Sequence, residues 1–415
     1  MIVPRSGPAA GPLPAARAPA ALYAAGFVTA FGAHAVAATV GSEAGIDAMS
    51  LFSLGVVLAV YDGAEVLLKP VFGSLADRWG PRRVLTGGLV AFALVSGGYA
   101  VVAATGAVAT GPGAVVALTL ARLGQGAAAS AFSPAAGAMV GRLSPTGKQG
   151  RAFGSYGAWK GLGYTGGPLL GGVVVLLGGL SVLFATLGAL AALVAVWVLL
   201  AVPVLDPLPR RRQTVVDLVR RLGSPTFLRP TAALAAGTAA LSVGVGFLPV
   251  LGAAAGLGPV ATGAAVALLA LSSTLVQPRA GRAHDRGTLG TRAALLLGFG
   301  PMIAGFVVAA TVPGLPGLVP AAVAIGFGVG TLTPVAFATL AATSPPERLG
   351  QTMGSAELGR ELGDAGGPLL VGAVAAGAST GVGLAVLAGV LAVTGAASLV
   401  RTGGTAPHGP DAGAD

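Results

Sequence analysis

Apolar runs of about twenty residues recur down almost the whole chain, separated by short breaks rich in Gly, Pro and charge. A bilayer core of roughly 30 Å takes about 20 apolar residues per spanning helix, so runs of this length make the membrane the solvent. Only 9% of the 415 residues are charged, against about 25% in an ordinary soluble domain. A water-soluble globule is excluded. The expected fold class is an all-α integral membrane protein with twelve spans, near residues 22–41, 50–73, 84–104, 114–141, 152–176, 180–202, 230–253, 260–278, 291–311, 317–341, 351–376 and 380–400.

The placement of basic residues supports that count. With both termini assigned to the cytoplasm, twenty of the 24 Lys and Arg fall in cytoplasmic segments, four fall inside spans (Lys69, Arg122, Lys160, Arg360) and none falls outside. This is the positive-inside pattern, and one missed or extra span would invert every later loop. The net charge of +10 does not point to nucleic acid, because the cations form no single stripe beside stacking aromatics. Arginine outnumbers lysine 21 to 3, a bias of GC-rich bacterial genomes, so the expected location is a bacterial inner membrane. The chain has no cysteine, which rules out disulfides and thiolate chemistry. No His cluster, metal-ligand spacing or serine nucleophile with a base is found, so no enzyme activity, cofactor or metal is expected.

Residues 1–18 and 402–415 are expected to be disordered cytoplasmic tails. Residues 19–203 and 230–401 are expected to form two six-helix bundles. The interval 204–229 carries Arg210, Arg211, Arg212, Arg220, Arg221 and Arg229 and is read as a cytoplasmic linker, either a solvated basic strand of chain or a short amphipathic helix on the anionic leaflet. An offset of 200 residues aligns the halves: Gly154, Gly163, Gly167, Pro168, Leu169, Leu170 and Gly172 recur as Gly354, Gly363, Gly367, Pro368, Leu369, Leu370 and Gly372. So many coincidences at one offset indicate duplication.

Between the second and third spans the chain reads Gly73-Ser-Leu-Ala-Asp77-Arg78-Trp-Gly80-Pro-Arg82-Arg83, with a degenerate copy, Gly281-Arg-Ala-His-Asp285-Arg286, between the eighth and ninth. This loop resembles the signature known as motif A of the major facilitator superfamily. The resemblance implies two pseudo-symmetric halves, parallel repeats about an axis along the membrane normal. It also implies a latch that closes the cytoplasmic side, with Asp77 meeting the start of the eleventh span near residues 350–352. Leu118-Thr-Leu-Ala-Arg122-Leu-Gly-Gln125-Gly126 resembles motif B, whose intramembrane arginine is linked to proton transfer. The fifth span, with Gly154, Gly163, Gly167-Pro168 and Gly171-Gly172, fits the antiporter pattern, motif C. Its glycines offer a flat face for a neighbouring helix, and Pro168 removes a backbone donor. Nearly the same pattern recurs in the eleventh span, so hinge packing in both repeats is an alternative source of it.

Ionisable groups inside a membrane are functional candidates by default. Asp62 and Glu65 lie on the second span, Glu357, Glu361 and Asp364 on the eleventh, and Lys69, Lys160 and Arg360 among them. By resemblance, the second, fifth and eleventh spans face one another between the halves. Glu65, Lys160 and Arg360 are each roughly 12–14 Å from the cytoplasmic ends at about 1.5 Å per residue. The expectation is that Glu65, with Asp62, pairs with Arg360 when the inner side is closed, and that protonation releases the pair. Asp62, Glu65, Arg122, Lys160, Glu357, Arg360, Glu361 and Asp364 are therefore candidates for proton coupling or gating, and His34, Gln125 and Glu357 for the substrate cavity.

The resemblance to twelve-helix drug:proton antiporters implies alternating access and proton-coupled efflux of a small amphipathic or cationic compound by a monomer in the lipid bilayer. The first span lacks proline, and 5% of residues are aromatic, which fits a multidrug pocket poorly. Metabolite uptake by proton symport or facilitated diffusion, and a receptor or scaffold without transport, are the alternatives.

Overall fold

The computed structural model describes residues 18–40, 51–105, 112–145, 147–206, 219–220 and 222–400. The expected tails, apart from Ala18, and half of the expected linker fall outside the described residues. Hydrocarbon offers no partner for backbone N–H and C=O groups, so each apolar run must pair them within itself and becomes a helix. No strand occurs among the described residues.

The helices are α1 (Ala18–Thr39), α2 (Leu51–Trp79), α3 (Pro81–Ala104), α4 (Pro112–Ala129), α5 (Phe132–Leu143), α6 (Gln149–Ala201), α7 (Pro225–Ala254), α8 (Pro259–Asp285), α9 (Thr291–Thr311), α10 (Leu315–Thr343), α11 (Leu349–Gly377) and α12 (Thr380–Leu399). Nine stretches among the described residues are long and apolar enough to cross a membrane. The acid-bearing α2 and α11, 29 residues each, are also of crossing length. Together with the two arms of α6, these correspond to the twelve expected spans.

Two local breaks differ from simple rods. The fourth span is α4 followed by α5, interrupted at Ser130–Ala131. Pro134 has no N–H to offer the Ser130 carbonyl, and the Ser130 hydroxyl donates instead to the Gly126 carbonyl at 2.7 Å. α6 holds the fifth and sixth spans as two arms that meet at Gly178–Gly179, where Gly179 has φ 69°. That left-handed conformation suits glycine.

The halves repeat one packing scheme. Gly163, Gly167 and Gly171 on α6 lie against Phe27, Phe31 and Ala35 of α1, and a methyl group on Gly171 would sit 2.7 Å from the Ala35 side chain. Gly363 and Gly367 on α11 lie against Ala235 and Ala239 of α7 in the same way. Small residues let these backbones approach within van der Waals contact. Gly172, by contrast, faces open space. Gly163, Gly167 and Gly171 therefore hold their half together, as Gly363 and Gly367 do in the eleventh span, whereas Gly154 and Gly354 pack against Gln277 and Lys69 of the opposite half.

All the charged turns gather at one end of the bundle, at residues 78–83, 142–151, 279–292 and 347–348. The turns at the other end carry no charged residue among the described residues.

Candidate functional site: a sealed basic end below a charged cavity

At the basic end the halves touch along two seams, α2 against α11 and α6 against α8. Both seams are glycine to glycine. A Cβ on Gly350 would lie 2.5 Å from the Gly73 carbonyl oxygen, and one on Gly150 would lie 2.6 Å from that of Gly281. Each motif A aspartate caps the helix opposite. Asp77 accepts from the Gly350 and Gln351 backbone N–H groups at 2.7 and 2.8 Å, and Asp285 accepts from Gly150 and Arg151 at 2.7 Å each. The first turn of a helix presents unpaired N–H groups and the positive end of its dipole, so a carboxylate there replaces a missing cap.

The motif arginines do other work. Arg82 donates to the Leu199 carbonyl within its own half, Arg78 and Arg83 line a shallow surface pocket beside Trp79, and Arg286 ends α8. Gly80, at φ 93°, makes the tight turn from α2 into α3.

The cross-half bonds of Asp77 go to a charged acceptor, and such bonds contribute about 1.5–3 kcal/mol each. Asp77→Ala is expected to loosen the basic end. Because the chain has no cysteine, a single Ser273→Cys reporter in the cavity reads this directly. Its labelling by an impermeant maleimide applied from the basic side should quicken at least tenfold. An unchanged rate would show that the aspartate contributes nothing to the seal.

Above the seal lies a cavity of about 440 Å³ between the halves. Its walls come from α1, α6, α7, α8, α10 and α11, with apolar Leu241, Val245, Val266 and Val329 facing polar Tyr156, Tyr164, Thr333 and Gln277. Phe153 and Phe337 stack across the halves at 5.5 Å. His34 lines the cavity, with Nδ1 3.0 Å from the Ala30 carbonyl and its ring edge-on to Tyr164 at 4.3 Å.

Two ion clusters bridge the halves beside this space. In the first, Lys69 on α2 contacts Glu65 at 2.7 Å and Glu361 on α11, and the Tyr61 hydroxyl donates to Glu65 at 3.4 Å. In the second, Glu357 on α11 meets Lys160 on α6 at 3.5 Å and Arg360 at 3.1 Å. Lys160 also donates to Ser133 at 3.1 Å and Arg360 to Thr238 at 3.3 Å. Glu65, Lys69, Lys160, Glu357 and Arg360 are all buried. The first cluster thus has one carboxylate in excess and the second one cation in excess. Asp62, exposed, and Asp364, half-buried and lining the cavity, form no ion pair among the described residues.

Two expectations need correction. Glu65 pairs with Lys69, which Glu361 shares, and not with Arg360. Arg360 turns toward Thr238 of its own half because Glu357, three residues earlier on the same helix, holds it there. Gln125, expected in the cavity, is fully buried between α3 and α4, where its Nε2 donates to Ser96 at 2.9 Å. It lies one turn past Arg122, and that face of α4 packs inside the half. Arg122 itself stacks over the Tyr61 ring at 4.0 Å, with Nε and Nη1 lacking hydrogen-bond partners.

Sequence reasoning did not single out Tyr61, Ser133, Thr238, Gln277, Tyr156 or Tyr164. Only Tyr61, one helical turn before Glu65, carried a positional signal. Lys69 was noted as a charge, yet its contact with acids of both halves was not foreseen. The motif A offset of 208 residues places Gln277 where Lys69 stands, so the α6–α8 seam is neutral where the α2–α11 seam is charged.

The backbone arrangement is shared with known transporters. The structure superposes on the human organic anion transporter MFSD10 with a TM-score of 0.71 at 18% identity, covering 94% of this chain and 100% of that one. It superposes on the E. coli fucose:proton symporter FucP with a TM-score of 0.72 at 12% identity, covering 92% and 98%. At such identities the likeness is one of fold. In sequence, the puromycin resistance protein pur8 of Streptomyces alboniger is 38% identical over 119 residues, 28% of this chain and 22% of that protein. A multidrug resistance protein B homolog of Mycobacterium tuberculosis is 39% identical over 105 residues, 25% and 19% of the two chains. The matched part is thus about a fifth of these relatives' length. The sequence profile of the Major Facilitator Superfamily matches residues 19–315. With the duplicated halves, the paired motif A turns and the cavity between them, this match shows that the chain belongs to the Major Facilitator Superfamily, a family of transporters rather than enzymes.

Proposed function

We propose that the protein is a proton-coupled exporter of small amphipathic cations, working by alternating access in a bacterial cell membrane with its basic end in the cytoplasm. The observation that carries this reading is the first ion cluster, one buried lysine shared by a carboxylate from each half. A proton delivered to Glu361 removes the excess charge and weakens the cross-half bond at that seam, while Glu65 competes for the same lysine, so the closure of the basic end responds to the protonation of both acids. Burial favours the neutral form of a carboxylate and a nearby cation favours the ionised form, which leaves the balance open to a substrate that brings its own charge.

The substrate class follows from the cavity. Its apolar walls suit a hydrophobic body, and Asp364, which has no ion-pair partner among the described residues, offers a carboxylate to an ammonium group. The likeness to resistance proteins supports export. Uptake by proton symport is the second reading. It is favoured by the antiporter-like glycines packing α6 and α11 in the same way, Gly163 and Gly167 like Gly363 and Gly367 within a half and Gly154 like Gly354 across the seam, which ties that motif to the fold of both repeats and not to direction.

Inverted vesicles with an acidified lumen test both. Export predicts that externally added cations evoke proton loss from the lumen, and that Glu65→Gln removes the response while binding persists. A metabolite that carries protons with it in the same direction would establish uptake instead. Intact coupling in Glu65→Gln would overturn the role given to the cluster.

A further inference from the structure

A second cavity, of about 230 Å³, lies away from the transport path at the basic end of the second half, between α7, α9, α10 and α12. We propose that it holds one acyl chain of an anionic glycerophospholipid from the adjacent leaflet, with the phosphate against Arg229.

The first half shows why the space exists. α3 and α9 begin at Pro81 and Thr291, an offset that aligns Gly88 with Gly298. Against Gly88 rests the ring of Phe132, itself 5.8 Å from the Phe92 ring. Against Gly298 rests Leu332, 200 residues after Phe132. One half is filled by an aromatic ring where the other has a smaller side chain, and the space left is bounded by Ala233, Ala294, Leu295, Leu332 and Ala336. A slot whose lining surface is mostly apolar, with the Thr339, Thr343 and Ser398 hydroxyls beside it, favours hydrocarbon over water.

The mouth selects the headgroup. Arg229 lines the cavity and has no hydrogen-bond or ion-pair partner among the described residues, and exposed Arg292 follows Thr291 at the rim. Both guanidinium groups match a phosphate in charge and geometry, and no acid lines the cavity. The chain's own nearby segment is a poor occupant, since Arg210, Arg211, Arg212 and Arg221 would be brought against the same cations.

The test uses the full chain purified in detergent and titrated with phosphatidylglycerol, phosphatidylcholine or glycerol 3-phosphate, with the melting temperature and retained lipid as readouts. Phosphatidylglycerol should raise the melting temperature and remain bound, whereas phosphatidylcholine and the soluble headgroup should not. Leu332→Phe, which restores the filling of the first half, should abolish the response. Arg229→Gln, which leaves the core untouched, should weaken it about fivefold, as expected for one basic residue near an anionic surface. Equal responses to the two lipids, saturation by glycerol 3-phosphate alone, or a wild-type response in both variants would overturn the proposal. So would a response that disappears on deleting residues 207–218 but survives Leu332→Phe, which would make the linker the occupant.

Discussion

Replacing Lys69 with Met is expected to abolish transport and to destabilise the folded protein by roughly 3–5 kcal/mol, the usual cost of stranding a buried charge. Two carboxylates from opposite halves, Glu65 and Glu361, share this one ammonium group. Met keeps the volume of the aliphatic stem and removes only the charge. Without it two acids face each other inside the protein, each costly to keep ionised in a low dielectric. The loss should therefore be reversed in part in stability, though not in transport, by adding Glu361→Gln, which removes one of the two stranded charges. Unfolding in detergent and proton flux in vesicles separate the two quantities. If Lys69→Met were as stable as the wild type, the cluster would be a peripheral contact and its gating role would fail with it.

The second large effect is expected at the glycine seams. A Cβ on Gly354 would sit 2.5 Å from the Lys69 carbonyl oxygen, and both atoms belong to helix backbones that cannot rotate away. Overpacking of this kind costs about 1–3 kcal/mol, or roughly a 5- to 150-fold shift between conformations at tenfold per 1.4 kcal/mol. The strain exists only while the basic end is closed, so Gly354→Ala should shift the protein toward the state open at that end. Labelling of the Ser273→Cys reporter from the basic side should rise by that factor, and proton-coupled flux should fall as the closed state becomes rare. Gly172→Ala is the control, because nothing lies within 4 Å of a methyl group there. Equal labelling of the two variants would mean that the seam does not govern closure.

The two expectations rest on different kinds of contact, and their difference explains the asymmetry between seams. Along α6 and α8 the halves meet through glycines, the neutral Gln277 and the Asp285 cap on α6, so no buried ion pair opposes opening there. Along α2 and α11 the same packing is overlaid by the Lys69 cluster. A change of protonation acts on one seam and leaves the other as a hinge of fixed chemistry.

Much of this was legible in the chain itself. The apolar run length dictated helices, because nothing else satisfies the backbone in hydrocarbon. The offset of 200 residues revealed the duplication, and the resemblance to motif A placed Asp77 at the start of the eleventh span, while the matching cap of Asp285 on α6 came from the structure. Such features are local or repeat along the sequence, and a one-dimensional pattern carries them. The partners of the buried charges were of another kind. Depth along a helix placed Glu65, Lys160 and Arg360 in one layer, but depth says nothing of rotation about the helix axis. Rotation gave Lys69 to Glu65 and Glu361, turned Arg360 toward Thr238 and put Gln125 inside its own half. The cavity beside Arg229 was hidden for a similar reason, since a void is a property of what several helices fail to fill. The sequence by itself determined the all-helical membrane class, the duplication and the charged end of the bundle. Only the tertiary structure decided which charge answers which, because that depends on the azimuth of each helix, and azimuth is set by glycine-to-backbone contacts between segments far apart in the chain.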